Sequence, residues 1–262
     1  MPLILPGNVA SATAPTTYTV ANSCRFSHGG ESYMSKTLGA PTDVDKFTVS
    51  FWTKIGSLIT EDAHFMLLED SSNSTGLNKE SANHALNFFR YAGGYNGRLK
   101  TTAIFRDPSA WYHIVCVYDS ANGTAGNRMR MYVNGTEITA FATDTEPSSG
   151  LNSHNADGND FFVGAWNAGT SEYDGYIAEF VFIDGLALTP SSFGEFDEDS
   201  PSIWKPIDVS GLTFGNNGFY LDFEASGNLG NDVNGGTDLG ETNIAAVNQC
   251  QDSPTNNFAT WN

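Results

Sequence analysis

Basic residues are scarce in this sequence. Its 262 residues include 12 lysines and arginines against 30 aspartates and glutamates, which gives a formal net charge of -18 at pH 7. The phosphates of a nucleic acid and the headgroups of an anionic membrane repel so electronegative a chain. We therefore expect the protein neither to bind nucleic acid nor to insert into a membrane.

Cysteines and export signals are also lacking. Cys24, Cys116 and Cys250 are widely spaced and odd in number, unlike the paired cysteines of a disulfide-stapled secreted domain. No clustered Cys/His spacing suggests structural zinc. The apolar start has no basic region or long apolar stretch, and no run is long enough to span a membrane. The sequence predicts reduced thiols in a protein made in a cytoplasm without a classical signal.

Residues typical of short strands and turns are abundant, with 27 Gly, 18 Phe and 10 Tyr. Short apolar runs separated by turn clusters recur from residue 22 to residue 223. We predict an all-β fold, a two-sheet antiparallel jelly-roll sandwich over residues 21–224. Residues 1–20 are predicted to be an extended N-terminal arm, and residues 225–262 a loop-rich C-terminal tail or linker.

A strand pair is predicted at residues 111–118 and 128–133. The dipeptide Asn134-Gly135 then predicts a tight turn into a further strand at 137–141, because both turn residues accept a positive φ. Apolar side chains alternate onto both faces of the first strand, which predicts a central position covered on both sides. In residues 189–196, a threonine followed by a proline predicts one short helical turn.

This hairpin carries a family resemblance. Its two parts read Trp111-Tyr112-His113-Ile114-Val115-Cys116-Val117-Tyr118-Asp119 and Met131-Tyr132-Val133-Asn134-Gly135. They resemble the central hairpin of laminin-G-like, pentraxin-like and concanavalin A-like sandwiches. Residues 161–164 and 175–189 are similar to a glycine-ended strand and to a later strand and turn of the same family. The resemblance covers roughly residues 22–200 and implies the concanavalin A-like fold.

Other segments resemble the versions of this domain in structural proteins of tailed phages and aquatic viruses. These segments are residues 21–26, 184–188, 191–196, 218–223 and 253–260. The resemblance implies a non-catalytic protein of the virion surface, made in the host cytoplasm, as a fibre, decoration or other surface component. Its expected partners are other virion proteins and copies of itself, with cell-surface glycans as candidate ligands. The chain is either a compact relative or part of a longer fibre.

Loop aromatics beside amides are the residues that a sugar site needs, since a ring covers the pyranose face and amides fix the hydroxyls. The candidates are Trp166, Asn167, Tyr173, Tyr91, Tyr95 and Asn96. Trp111, at the start of a buried strand, is expected in the core.

Calcium is the candidate cofactor, because clustered carboxylate and amide oxygens suit a hard cation. Pentraxin-like relatives carry an acidic cluster after the glycine-ended strand, where this sequence has residues 165–169, which contain no acid. The remaining candidate ligands are Asp157, Asn159, Asp160 and Asp174, with Asp119 and Asn122 in the hairpin turn as further oxygen donors.

Catalytic patterns are poorly matched. Glycosidases with this fold carry Glu-x-Asp-x-x-Glu on one strand so that the carboxylates share a face. The nearest match, residues 195–200, lacks the last glutamate. No serine-hydrolase elbow, HExxH or phosphate loop is present, and His113 is expected to be a hydrogen-bonded core residue. We expect no enzyme. The alternatives are a polysaccharide-cleaving glycosidase on the same fold and a structural subunit without a ligand.

The first six residues, Met1-Pro2-Leu3-Ile4-Leu5-Pro6, form an apolar segment with no periodic partner. Its prolines remove donors from any strand ladder. An apolar segment on an acidic protein needs a cover, and we predict that this arm docks on a neighbouring subunit.

Overall fold

Two large antiparallel sheets stack as a sandwich in the computed structural model, which describes residues 18–167 and 170–256. The first sheet, sheet A, has the strand order β10-β9-β8-β3-β13-β1-β18, and β16 also pairs with β13. Its strands are β1 (Ser23–Phe26), β3 (Lys46–Ile55), β8 (Trp111–Asp119), β9 (Met129–Val133), β10 (Thr136–Glu137), β13 (Gly175–Asp184), β16 (Phe219–Leu221) and β18 (Gln249–Cys250).

The second sheet, sheet B, has the order β11-β7-β6-β5-β4-β12-β2-β17. Its strands are β2 (Tyr33–Thr37), β4 (Ala63–Glu69), β5 (Ser74–Lys79), β6 (Ala85–Tyr91), β7 (Tyr95–Ile104), β11 (Phe141–Thr145), β12 (Asp160–Val163) and β17 (Gly240–Thr242). The predicted all-β sandwich is confirmed.

Helix is limited to four three-residue 3₁₀ turns in the described part of the chain: His28–Gly30, Ala125–Asn127, Pro190–Ser192 and Ala246–Asn248. The predicted turn after Thr189 is therefore present, but the rest of that segment forms β14 (Gly194–Phe196), which pairs with β15 (Trp204–Pro206). No helix among the described residues is long and apolar enough to cross a membrane.

Strand β8 lies between β3 and β9, as its two apolar faces predict. Cys116 and Tyr118 enter the core between the sheets, while Val115 and Val117 pack under the segment that covers the outside of sheet A. The Asn134-Gly135 turn has φ values of 49° and 76°, so the predicted hairpin turn is confirmed.

The single strand predicted at residues 137–141 is wrong. Two short strands occur instead: β10 ends at Glu137 in sheet A, and β11 begins at Phe141 in sheet B. The chain crosses between the sheets here, and Ala140 accepts a hydrogen bond from the amide of Thr102 on β7. A short apolar pattern indicates a strand but not the sheet that it joins.

The core between the sheets is dominated by phenylalanine. Phe161 of β12 contacts Phe180, Phe182 and Phe219 of sheet A, with ring centroids 4.8 to 6.2 Å apart. All four rings are fully buried. The cysteines are free, as predicted, with Cys24 and Cys116 buried and Cys250 half-buried.

Both ends of the described chain pack on sheet A. The amide of Val20 donates to Thr255 Oγ1 at 2.9 Å, and Ser253 Oγ donates to the carbonyl of Val20 at 2.6 Å. Residues 225–256 supply the edge strands β17 and β18 and the buried side chains of Leu229 and Leu239. The domain boundaries at residues 20 and 224 stay predictions, and residues 1–17 lie outside the described residues.

Candidate functional site

The outer face of sheet B carries a row of aromatic and amide side chains. Along β6, Leu86 and Phe88 enter the core, so the alternation of the strand turns Asn87, Phe89 and Tyr91 outward. Phe89 belongs to a second apolar cluster, separate from the core between the sheets. A cavity of about 260 Å³ opens beside it.

We call this cavity the sheet B cleft. Its lining residues come from β4 to β7, from the positions just before β4 and just after β5, and from the loop after β12: Asp62, His64, Asn78, Glu80, Asn87, Phe89, Tyr95, Arg98, Trp166 and Ser171.

Three rings form an aromatic wall in the cleft. Trp166 stacks on Phe89 with a centroid distance of 6.0 Å and an interplanar angle of 13°. Tyr95 meets Phe89 edge to face at 5.9 Å, and Tyr91 flanks Tyr95 at 5.5 Å. Tyr95 is 49% exposed. The wall therefore presents the ring of Tyr95 to solvent, and the contacts with Phe89 and Tyr91 hold that ring in place.

Polar side chains next to the wall are held by hydrogen bonds with one another. Asn87 Nδ2 donates to Asn78 Oδ1 at 2.8 Å, and Arg98 Nε donates to Asn87 Oδ1 at 2.8 Å. Arg98 also pairs with Glu80 at 2.7 Å, while Lys100 pairs with the other Glu80 oxygen at 2.5 Å. Because the partners fix these rotamers, the cleft presents amide and guanidinium groups in defined directions.

Within the cleft, the ring of His64 has a nitrogen without a hydrogen-bond partner. It is buried beside Trp166, with the ring centroids 4.8 Å apart and nearly perpendicular. Its Nδ1 atom is buried and has no hydrogen-bond partner among the described residues. Burial disfavours the imidazolium and lowers the pKa of His64 to about 4, although a hydrogen bond to the backbone of Ser171 opposes this shift. The buried ring is therefore neutral.

Half of the predicted sugar-binding residues meet at this cleft. Trp166 and Tyr95 line it, and Tyr91 supports Tyr95 from behind. Asn167 follows Trp166 and accepts a hydrogen bond from Thr170 Oγ1. The side chain of Asn96 accepts a hydrogen bond from Arg90 Nη1 on β6, and it does not line the cleft.

The assignment of Tyr173 to a sugar site is wrong. The side chain is fully buried between the sheets, and its hydroxyl bonds to Thr53 Oγ1 at 2.7 Å and to the carbonyl of Lys54 at 2.8 Å. The segment after Gly164 turns inward at Tyr173 before β13 begins, so a tyrosine between polar residues is here a core residue.

The predicted calcium ligands do not converge. Asp160 begins β12 and accepts a hydrogen bond from Thr37 Oγ1, whereas Asp174 follows the opposite end of that strand and bonds Ser57. Asn159 donates its amide to the carbonyl of His154, and Asp157 is exposed next to it. No group of three or more His, Cys, Asp or Glu residues suited to a metal occurs among the described residues. Asp174 is therefore not part of one site with the other three.

Asp119 and Asn122, the further oxygen donors, contact each other in the β8–β9 connection, and Asp119 also pairs with Lys46 at 3.7 Å. These side chains form a local turn network.

The partial glycosidase pattern lies outside the cleft. Glu195 and Asp197 sit at the β14–β15 hairpin, where both pair with Lys205. His113 is a buried core residue, as predicted: Trp204 Nε1 donates to its Nδ1 at 2.9 Å, and Nε2 faces Ser50 Oγ at 2.8 Å. Burial lowers the pKa of His113 to about 3, so the ring is neutral.

Comparisons with known proteins agree with this fold. A laminin-G-type model of the concanavalin A-like lectin/glucanases superfamily matches residues 28–192, more than half of the chain. A search of curated protein sequences found no significant match.

Among solved structures, a Bacteroides ovatus protein assigned to carbohydrate binding has a TM-score of 0.54 and 17% identity, over 85% of this chain and 59% of that one. A heptameric SAP-like pentraxin from Limulus polyphemus has a TM-score of 0.47 and 15% identity, over 66% of this chain and 80% of that one. Tailspike protein 2 of the Escherichia coli O157:H7 bacteriophage CAB120 has a TM-score of 0.47 and 12% identity, over 66% of this chain and 24% of that one. At these identities the likeness concerns the fold alone.

Proposed function

Because the chain belongs to the concanavalin A-like lectin/glucanase superfamily, we propose that it binds saccharides in the sheet B cleft without cleaving them. The observation that carries the proposal is the aromatic wall, in which Tyr95 is 49% exposed, beside the amide side chains that line the same cleft. Aromatic rings cover the apolar face of a pyranose, and amide groups bind its hydroxyls.

The charges of the cleft favour an uncharged saccharide. Its cationic groups, Arg98 and the adjacent Lys100, are both paired with Glu80. An acidic sugar would have to compete with that carboxylate and approach a chain of net charge -18. Hydroxyl groups, in contrast, find amide partners in Asn78 and Asn87 without breaking an ion pair.

The carboxylates of the cleft are engaged in ways that support binding rather than hydrolysis. Glycosidases need one carboxyl group as an acid and a second as a nucleophile or base. Both oxygens of Glu80 are held by cations, and one oxygen of Asp62 accepts hydrogen bonds from the amide and the hydroxyl of Ser81. Neither carboxyl group is without partners in the cleft.

We further propose that the protein displays this cleft on the surface of a virus or phage particle. Support comes from the sequence resemblance of residues 21–26, 184–188 and 218–223 to virion structural proteins, and from a strongly acidic composition suited to a soluble surface component. Immunogold labelling of purified particles tests this location. Labelled intact particles are expected, and particles without the protein by labelling and by mass spectrometry would overturn it.

A glycan array probed with the full chain, with and without added calcium, tests the binding. Neutral oligosaccharides are expected to give the signals. Each hit is then titrated in solution, where Tyr95→Ala and Trp166→Ala should weaken the affinity at least fivefold, as expected for losing a contact of about 1 kcal/mol. Phe196→Ala, which removes a similarly exposed ring on the β14–β15 hairpin, should leave the affinity unchanged.

Binding should also be equally tight at pH 6 and pH 8, because His64, with a pKa of about 4, is neutral at both. An empty array under both calcium conditions would point to a structural subunit without a ligand. Release of shorter saccharides from a bound glycan would point instead to a glycosidase.

A further inference from the structure

An apolar groove lies on the other side of the sandwich, outside sheet A. It has a volume of about 580 Å³ and runs between the β14–β15 hairpin and the 3₁₀ turn at Pro190–Ser192. Phe196 and Trp204 form its aromatic wall, with their ring centroids 4.9 Å apart, and Ile207 adds an aliphatic side.

The wall is fixed in place and partly open to solvent. Trp204 donates its indole N–H to His113. Its ring lies against Gly135 and Gly194, where a Cβ atom would come within 2.4 and 2.6 Å of the indole. Phe196 is nevertheless 45% exposed. A rigid aromatic wall that remains open is the arrangement that binding grooves for extended, proline-containing segments use.

The N-terminal chain enters the described structure next to this groove. Tyr18 donates its hydroxyl to Glu179 at 2.8 Å, and it packs with Val20 in the small cluster that Trp204 also contacts. Upstream stands the apolar segment at residues 1–6, in which two prolines flank Leu3, Ile4 and Leu5. Proline restricts φ, so such a segment loses little entropy when it docks in an extended form.

We propose that residues 1–6 of one copy occupy this groove on a second copy of the chain. The eleven residues between Pro6 and Tyr18 reach about 36 Å when extended. A folded chain of this length has a radius of gyration of about 18 Å, so this reach is about twice that radius and is long enough to arrive at the surface of an adjoining copy. The groove of the same copy shares Trp204 with the anchor of Tyr18, and the oligomeric state distinguishes a seat there from one on a second copy. The inference does not depend on saccharide binding.

Light scattering of the full chain, tagged at the C-terminus, over a hundredfold range of concentration tests the proposal. The full chain is expected to associate as its concentration rises, whereas deletion of residues 1–6 and Phe196→Ser should each shift association to at least tenfold higher concentration. Ile203→Ser removes an exposed apolar side chain of the same hairpin that does not line the groove, and this control should behave as the wild type.

A peptide of residues 1–13 gives a second measurement that does not depend on the Phe196→Ser variant folding. Added to the chain that lacks residues 1–6, it should shift the tryptophan fluorescence saturably, and a peptide with serine at Leu3 and Leu5 should not. A full chain that stays monomeric would overturn the proposal, even if the peptide binds, because the arm would then fill its own groove. Association that survives the deletion would place the interface elsewhere.

Discussion

The carboxyl group of Glu179 gives the fold a definite pH dependence. The residue is 6% exposed and lies at a bulge in β13 with a φ of 50°. Its Oε2 atom accepts hydrogen bonds from Tyr220 at 2.7 Å and from Tyr18 at 2.8 Å. Burial raises the pKa of Glu179 from 4.5 to about 7, against the two hydroxyls, which lower it, while Asp222 and Glu224 add to the rise.

A carboxyl group whose pKa is higher in the folded state destabilises that state once it ionises. The folded protein then binds a proton more tightly than the unfolded chain, so stability is full below pH 4.5 and falls as the pH rises through 7. A shift from 4.5 to about 7, at about 1.4 kcal/mol per pKa unit, gives a total loss of about 3.5 kcal/mol, of which about 2.5 kcal/mol occurs between pH 5 and pH 8.

Urea unfolding of the wild type and of Glu179→Gln at pH 5 and pH 8 measures this loss. Glutamine has no charge at either pH, and other titrating groups, including Glu146 with its pKa raised to about 7 by burial, are common to both proteins. The free energy of unfolding of the wild type, relative to the variant, should therefore fall by about 2 to 3 kcal/mol from pH 5 to pH 8. A constant difference, or one that rises with pH, would refute the reasoning.

Three further predictions concern the core. Thiol titration should count three groups in denaturant, but in the native protein only the half-buried Cys250 should react quickly, and a count of one in denaturant would reveal a disulfide. Phe161→Ala should lower the free energy of unfolding by about 3 to 5 kcal/mol, because the ring is fully buried. Phe196→Ala, which removes a ring that is 45% exposed, should change it by less than about 1 kcal/mol. Asp184 accepts bonds from Thr42, Asn155 and Asn217, so Asp184→Asn should cost about 2 to 3 kcal/mol in the same urea titration, and a cost near zero would show that these bonds contribute little.

Much of the sandwich could be predicted because alternation is a local signal. The two-faced apolar pattern of residues 111–118 and the Asn134-Gly135 turn give β8 and its hairpin. Strands with small or polar residues, such as β5 with Gly76, lack that signal, although they are buried in the sheet. Edge strands such as β17 are defined by their partner and not by their own sequence.

The site was only partly predictable because it depends on which strands become neighbours. Trp166 and Tyr95 are separated by 70 residues of sequence, and it is β4, β5 and β6 between them in the sheet that bring them together. Phe89 was missed, although its alternation with Phe88 shows that one of the two rings faces outward. The unpartnered nitrogen of His64 has no sequence signal, since it results from the burial of one ring beside Trp166.

The meeting of Val20 with Ser253 and Thr255 bears on how this domain is made and joined to others. Because β1 pairs with β18 and β2 with β17, both sheets are completed by segments about 200 residues apart. Contacts so distant in sequence slow folding, and a ribosome must release residue 250 before the last edge can close. The same meeting places the two ends of the folded unit side by side. The unit can then be inserted into a surface loop of another protein, or be circularly permuted with a short linker, without moving a strand.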